Sequence, residues 1–374
     1  MVSTTDATEL QEIRRNVRKI MGRFGPDYFR ELDAGKAFPT ALYEAMAEAG
    51  FFGTLIPERW GGADAGPAAA SVIVEEINRC GGDAGAINAQ MAICTTLARD
   101  GSDEQRDRWL PGVVTGEIRF LTVAATEPES GADMSNLEST ATRDGDHWVI
   151  QAQKVFISMA EHTRLMILLV QTNEGPTIFL LDREEMGAEI EIRPVDMMVN
   201  RMTTMLFIDG LRVPDSCRIG AVGGGLRCLM KGFAPRRALA AAESIGNARF
   251  LLDISLEHAK TRVAFNRPIG QNQGVQYPLT HGYAKTEAAD LMRWDALRVL
   301  EAGGDAGGRS ALAKILASEA AWDVARAAMT TYGAWALATE YHVERKLREC
   351  TVFVFNNLLT SYVAHNVLDL PKAF

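Results

Sequence analysis

The stretch that most constrains the fold runs from residue 235 to residue 276. It predicts a long helix that begins at Pro235, where the missing N–H of proline needs no partner, and ends near Val263. Residues at helical spacing form one apolar face, made of Ala238, Ala242, Ile245, Ala248, Leu252, Leu256 and Ala259. A helix with such a face packs against other elements of a protein core.

The same helix carries a carboxylate, Glu243, away from this apolar face. Leu239, Gly246 and Phe250 share the side of Glu243, so the helix is apolar on two sides and is expected to be buried on both. Burying a charge is unfavourable unless the charge is paired or used. Glu243 therefore either pairs with a buried arginine or belongs to a functional site, and its residue type alone favours neither interpretation.

The amino-acid composition and net charge of the chain favour some classes of protein over others. The chain has 374 residues, of which 47% are hydrophobic and 23% charged, as expected for a soluble globular protein of two to three domains. Its net charge of −9 argues against nucleic-acid binding. Five scattered cysteines without a CxxC pair favour reduced thiols in a cytoplasmic protein and give no metal site. No apolar run is long enough for a membrane span.

The order of patterns along the chain predicts three domains. Helical spacing dominates 8–115, where Ser102 and Gln105 form a capping box and Thr40 caps a helix that stops at Gly50. Short β-rich runs between turns predict an antiparallel β-domain over 118–220. Helical patterns return at about 226–263, 275–302, 309–334 and 340–365. We therefore expect an α+β protein with a helical domain at 1–117, a β-domain at 118–222 and a helical bundle at 223–374.

Five motifs in this order resemble those of the acyl-CoA dehydrogenase family. They are GSDEQRDRWLPGVVTGE, ATEPESGADMSN, GDHWVIQAQKVFIS, the block from Arg237 through AKTRVAFNRPIGQNQGVQ, and ERKLRE. The resemblance covers nearly the whole chain. It implies an N-terminal helical domain, a central β-domain and a C-terminal four-helix bundle, usually assembled as a tetramer.

The resemblance also implies FAD as cofactor and an acyl-CoA as substrate. A base removes the α-proton while a hydride passes from the β-carbon to flavin N5, so the flavin carries the redox chemistry and the protein supplies position and electrostatics. Electrons then pass to an electron-transfer flavoprotein or another acceptor. The implied assembly is a homotetramer or a heteromer with a related subunit.

Individual positions inherit roles from this resemblance. Thr126 and the backbone near Ala124 match the segment that binds the flavin ring, and Phe156 and Ser158 match a tryptophan and a threonine beside it. Arg262, Phe265 and Gln273 match residues that hold the FAD diphosphate and adenosine, and a cation suits a diphosphate. Gly333 remains from the adenine segment. For the substrate, Arg237 matches an arginine near CoA, and Ala132 replaces a serine that contacts the CoA arm.

Two positions depart from the family pattern. The usual base, counted on from the motif at 344–349, falls on Asn357, and the alternative base position, immediately before Arg237, holds Arg236. Neither residue can accept a proton. Glu243 lies seven residues beyond Arg236, on the same helical face and about 10 Å further along the axis. We therefore predict Glu243 as the base, with an ion pair or recognition of a polar acyl group as the alternatives.

Two functions remain open on this evidence. The first is a flavin-dependent acyl-CoA dehydrogenase with a relocated base. The second is a protein of the same fold that does not desaturate, either as a catalytically silent subunit of a heteromer or with different flavin chemistry. Flavin reduction by a saturated acyl-CoA under anaerobic conditions separates the two.

Overall fold

A computed structural model describes residues 7–131, 133–134 and 136–371. Helices in chain order are α1 Ala7–Met21, α2 Pro26–Gly35, α3 Thr40–Glu48, α4 Gly66–Arg79, α5 Gly85–Asp100, α6 Asp103–Val114, α7 Arg183–Met186, α8 Gly225–Lys231, α9 Phe233–Thr261, α10 Gln273–Glu301, α11 Gly307–Tyr332, α12 Val343–Thr351 and α13 Asn357–Asn366. Strands are β1 Phe120–Ala124, β2 Thr140–Asp144, β3 His147–Ser158, β4 Leu165–Thr172, β5 Gly175–Asp182, β6 Ile190–Pro194, β7 Thr203–Pro214, β8 Arg218–Ile219, β9 Val263–Ala264 and β10 Arg267–Pro268.

The described residues form two compact units. The helical unit comprises 7–35, 65–84 and 234–371, and the sheet unit comprises 36–64 and 85–233 without the two undescribed positions. Among the described residues, no helix has both the length and the apolar character that crossing a membrane requires.

Small residues let the long helices of the helical unit approach one another closely. One buried cluster joins Ala241 and Ile245 of α9 to Ala289 of α10 and to Ala313 and Ala317 of α11. Close packing of this kind stabilises through many dispersion contacts rather than through a few large side chains. The bundle therefore fixes α9 along most of its length.

The sheet unit is built on an eight-stranded sheet with the order β6-β7-β3-β2-β4-β5-β8, in which β1 also pairs with β4. The prediction of a purely antiparallel domain is wrong in one respect, because β1 and β2 both run parallel to β4. The hairpin of β2 and β3 lies between β1 and β4 in the chain and serves as the long connection that parallel neighbours need. Alternation of apolar residues does not encode this pairing direction.

Local signals at helix ends had mixed outcomes. The capping box is confirmed, since Ser102 Oγ accepts from the Gln105 N–H at 3.2 Å and the Gln105 side chain accepts from the Ser102 N–H at 3.0 Å. Thr40, in contrast, is the first residue of α3, and Pro39 occupies the cap position without a side-chain bond. Helix α2 lies within the range 8–115 that was predicted to be helical.

The single helix predicted over 340–365 is wrong. Helix α12 ends at Thr351, and α13 begins only at Asn357. The intervening apolar run has no helical period, and its last aromatic residue, Phe355, is 80% exposed. This break places Asn357 at the start of a helix.

Candidate functional site

Glu243 lies in the interior of the helical unit. Its side chain is 3% exposed, and Leu239 at 1% and Phe250 at 7% flank it on the same side of α9. The predicted burial of α9 on both sides is confirmed, although Leu256 on the first face is 41% exposed. A carboxylate in this setting is shielded from bulk water.

Three arginines, on α1, α9 and α10, pair with a different carboxylate, Glu75 of α4. Arg293 Nη2 lies 2.8 Å from Glu75 Oε2, Arg14 Nη2 lies 3.0 Å from the same atom, and Arg249 bonds the other oxygen. Burial alone would raise the pKa of Glu75, but these arginines hold it far below its ordinary range. Sequence reasoning missed Glu75, since nothing in its local pattern distinguishes it from a solvent-facing glutamate.

Arg237 is held at the start of α9 by a residue of α13. Its guanidinium carbon lies 4.6 Å from the centre of the Tyr362 ring. Burial lowers the pKa of Arg237, and Tyr362 opposes this effect. A methyl group at Gly307 would lie 2.2 Å from the Tyr362 hydroxyl oxygen, so glycine there leaves room for the ring.

Asn357, at the usual position of the family base, is exposed and opens α13. The residue before it is buried and tied to α11, because Lys314 Nζ donates to Asn356 Oδ1 and to the Phe353 carbonyl, both at 2.6 Å. Asn356 Nδ2 donates in turn to Ser318 Oγ at 2.9 Å. Burial lowers the pKa of Lys314 to about 8. The turn before α13 is therefore held in place but presents an amide where a proton acceptor was required.

A β-bulge at the end of β3 presents Phe156. Pairing with β7 shifts between Lys154 and Ile157, and Phe156 has a φ of 57° with a ring that is 60% exposed. Thr126 fixes this bulge, because its carbonyl accepts from the Val155 N–H at 3.0 Å and its hydroxyl donates to the Val155 carbonyl at 2.5 Å. Bulges and left-handed bulky residues concentrate at functional sites.

The two other predicted residues of the sheet unit flank this bulge. Ser158 ends β3 with a partly buried side chain, and its carbonyl accepts from the Thr122 hydroxyl at 3.0 Å. Ala124 ends β1, where it is fully buried and pairs with Leu168. The side chain of Ala124 therefore belongs to the core, and only its backbone can face a ligand. Ala132 lies outside the described residues.

A buried ion pair supports the Thr126 segment and was missed by sequence reasoning. Lys154 Nζ donates to Glu127 Oε1 at 2.5 Å and to the Ala125 carbonyl at 3.3 Å, and the Glu127 carboxylate also accepts backbone N–H bonds from Glu138 and Ser139. Burial would raise the pKa of Glu127, but the bonds from Lys154 and Ser139 keep it below its ordinary value. Lys154 and Glu127 both lie in motifs quoted above. Their place in these motifs was the only sequence signal that could have identified the pair.

In the helical unit, Arg262 and Phe265 lie on the hairpin formed by β9 and β10. Phe265 and Asn266 connect the strands with φ values of 52° and 61°, as the central residues of a type I′ turn do. Asparagine tolerates this conformation, so Asn266 suits the turn. Arg262 is exposed, Phe265 is 97% exposed, and the exposed Gln273 begins α10.

Gly333 ends α11 with φ 61° and ψ −137°, a combination that is essentially restricted to glycine. The residue before it, Tyr332, stacks on His258 with ring centres 4.0 Å apart. Motif ERKLRE has a structural role nearby in the same unit: Arg345 Nη2 donates to the Gly81 carbonyl and Lys346 Nζ to Asn247 Oδ1, each at 2.8 Å.

The comparisons with known proteins all identify the same family, and together the matches extend over nearly the whole chain. Models of the acyl-CoA dehydrogenase N-terminal, middle and C-terminal domains match residues 7–117, 122–209 and 223–355. The acyl-CoA dehydrogenase FadE12 of Mycobacterium tuberculosis is 28% identical over 100% of this chain and 99% of its own length. Glutaryl-CoA dehydrogenase of Desulfococcus multivorans is 30% identical over 98% of both chains.

A comparison with a solved structure identifies the fold of this chain. Glutaryl-coenzyme A dehydrogenase in complex with glutaryl-CoA superposes with a TM-score of 0.92 at 28% identity, covering 99% of this chain and 98% of the other. The predicted fold class, with helices on both sides of a central sheet domain in the sequence, is confirmed by this likeness. The chain belongs to the acyl-CoA dehydrogenase family, whose members carry out flavin-dependent oxidation of acyl-CoA thioesters.

Proposed function

We propose that this protein is an FAD-dependent acyl-CoA dehydrogenase that introduces a Cα–Cβ double bond, with Glu243 as the base. The observation that carries the proposal is a carboxylate with 3% exposure on α9, two helical turns from Arg236, in a chain whose usual base positions hold Asn357 and Arg236. A base must lie within hydrogen-bond reach of the proton that it removes. Among the residues weighed for this role, Glu243 alone can accept a proton.

The chemistry of the available groups fits FAD. The sheet unit offers the hydroxyl of Ser158, the outward ring of Phe156 and the backbone beside Thr126, which suit a flat heterocycle with polar edges. The helical unit offers the exposed cation Arg262 for a diphosphate. It also offers the exposed ring of Phe265, the side chain of Gln273 and the open backbone at Gly333 for an adenosine.

Glu243, Arg237 and the bound FAD would each have a separate role in the proposed reaction. The Cα–H bond breaks, its proton passes to a Glu243 carboxylate oxygen, and its electron pair forms the new C=C bond as a hydride leaves Cβ. FAD, when bound, supplies the acceptor for that hydride. Arg237, restrained by Tyr362, would bind the CoA moiety. Electrons would leave by an electron-transfer flavoprotein or another acceptor.

The proposal is tested with Glu243→Gln, which removes the proton acceptor and preserves side-chain size. This variant should keep FAD and bind acyl-CoA, but its flavin should be reduced by saturated acyl-CoA about 10²- to 10⁴-fold more slowly than the parent's. Stopped-flow absorbance under anaerobic conditions measures the rate. The matched control is Glu257→Gln, an exposed glutamate on the same helix. A near-parental rate in Glu243→Gln would refute the assignment of the base.

A protein that does not desaturate is the second candidate, and the specific observation in its favour is the loss of both familiar base positions. Asn357 and Arg236 cannot accept a proton at neutral pH. In that case no saturated acyl-CoA reduces the flavin of the parent protein, and the chain is a silent subunit or carries other flavin chemistry. Titrating the parent with a series of saturated acyl-CoAs decides between the two candidates.

A further inference from the structure

Arg236 differs from its neighbours in having no partner among the described residues. Its side chain is only partly exposed, yet it makes no hydrogen bond, ion pair or ring contact with any other residue that the structure describes. Burial lowers the pKa of Arg236, and no described carboxylate opposes this effect. A partly buried cation without a counter-charge is costly to the fold.

The other arginines of the helical unit show how this unit normally pairs a guanidinium group that is not fully exposed. Seven of these arginines are at least partly buried, and each of the seven has a carboxylate oxygen within 3.9 Å. They are Arg14, Arg30, Arg79, Arg249, Arg293, Arg345 and Arg348. Arg237, directly beside Arg236, is held by Tyr362. The unit therefore satisfies its inward-facing guanidinium groups, and Arg236 is the exception among the described residues.

We propose that Arg236 binds an oxyanion of the acyl-CoA, and that this oxyanion is a carboxylate carried by the acyl chain. The inference rests on the proposed function, because Glu243 marks the reacting carbon there. A planar guanidinium binds a carboxylate through two parallel hydrogen bonds, and this geometry suits Arg far better than Lys.

The position of Arg236 along the helix favours the acyl chain as the source of the oxyanion. Arg236 and Glu243 share one face of α9, with an axial separation of about 10 Å. An acyl chain that lies along this face would bring a terminal carboxylate to Arg236 while its α-carbon stays beside Glu243. The phosphates of CoA carry the same oxyanion chemistry, and the adjacent Arg237 is the residue proposed above for the CoA moiety, so the test has to separate the two sources.

The test compares ligands that differ in one group. Adipyl-CoA and hexanoyl-CoA have acyl chains of equal length and differ in the terminal carboxylate, and free CoA carries the phosphates alone. Affinities of the flavin-loaded proteins for all three are measured by calorimetry with Glu243→Gln as a common background, so that the flavin reduction proposed above does not add to the heat of binding. The proteins are the parent, Arg236→Gln, Arg236→Lys and the control Arg326→Gln, an exposed arginine on α11.

We expect Arg236→Gln to weaken adipyl-CoA binding by about 10- to 100-fold, the loss of a charged hydrogen-bonded contact, and to leave hexanoyl-CoA and CoA nearly unchanged. Arg236→Lys should recover part of the loss. An equal loss for all three ligands would keep the oxyanion site and assign it to the phosphates. Unchanged affinity for all three, in a variant with normal flavin content and thermal stability, would overturn the proposal.

The outcome is separable from that of the proposed function. Flavin reduction in the parent by hexanoyl-CoA or adipyl-CoA reports on desaturation, whereas the ratio of the two affinities reports on Arg236. A parent that neither ligand reduces would refute the dehydrogenase. A selective loss of adipyl-CoA binding in Arg236→Gln would still support the oxyanion site.

Discussion

At the scale of single residues, two exposed phenylalanines occupy left-handed backbone conformations. Phe156 has a φ of 57° at a bulge, and Phe265 has a φ of 52° in a hairpin turn. Bulky side chains rarely adopt this region, and each such residue costs about 1–3 kcal/mol. Both stand where sequence motifs predict contact with a flavin nucleotide. Strain at these two positions is therefore consistent with rings that are shaped to meet a ligand.

Arg262 gives the sharpest residue-scale prediction about the cofactor. Arg262→Ala removes the cation proposed for the diphosphate, so the variant should purify largely without FAD. Absorbance at the flavin maximum relative to protein absorbance measures occupancy. Arg267→Ala, on the same hairpin and hydrogen-bonded to Asn272 at 2.8 Å, is the matched control. If Arg262→Ala retains FAD as tightly as the parent, the diphosphate lies elsewhere.

Residue identity predicted some of the site, and spatial context was needed for the rest. The burial of Glu243 followed from the apolar residues on both sides of its helix, a local pattern. The pairing of Lys154 with Glu127 and the lack of a partner for Arg236 depend on which residues meet in space. No periodicity along the chain carries that information.

At the scale of elements, the turn between α12 and α13 depends on a buried ammonium. Lys314 of α11 bonds the Phe353 carbonyl and the Asn356 side chain, so it ties the start of α13 to the bundle. Sequence reasoning joined α12 and α13 into one helix because apolar residues fill the turn. The information that separates them is the tertiary bond from Lys314, which outweighs local propensity.

The pKa of Lys314 predicts a pH dependence of stability. Burial lowers this pKa from 10.5 to about 8, so between these values the unfolded chain binds a proton that the folded protein does not. The free energy of unfolding therefore gains a rising contribution with pH across this window, of at most ~3 kcal/mol, and the penalty is constant below it. Lys314→Met should lack this rise.

Urea unfolding at about pH 7.5 and about pH 10 measures the difference between the two proteins. Lys260→Met, at an exposed position on α9, serves as control and should follow the parent at both pH values. A Lys314→Met variant whose unfolding free energy changes with pH as the parent's does would show that Lys314 keeps an ordinary pKa.

At the scale of the whole molecule, the helical unit exposes many large apolar side chains. The most exposed are Phe265 at 97%, Phe355 at 80%, Leu291 at 74% and Leu337 at 67%. A contiguous exposed apolar patch marks an interaction site, and these side chains are the candidates for one. Two of these exposed side chains, Phe355 at 80% and Leu358 at 44%, lie at the turn between α12 and α13 and at the start of α13.

We predict a homo-oligomer, most simply a tetramer. Sedimentation equilibrium should give about four times the chain mass of 40.8 kDa. Replacing Phe355 and Leu358 with serine, at positions that are 80% and 44% exposed, should weaken assembly without unfolding the monomer. A single species of the chain mass at all concentrations would exclude the oligomer, and assembly only with a second, related chain would indicate a heteromer.

The close approach of α9 to α4 has a consequence for how such a protein can change its chemistry. A β-carbon at Gly246 would lie 2.4 Å from the Glu75 carbonyl oxygen, and Arg249, one turn later, bonds the Glu75 carboxylate. These contacts fix the position of α9 along the axis of α4. A residue of α9 therefore cannot reach a different position along α4 by a shift of the helix. An acidic group on the face of Arg236 can then be moved only by substitution, in steps of whole helical turns of about 5.4 Å. Position 243, proposed here for the base, is the second such step from position 236.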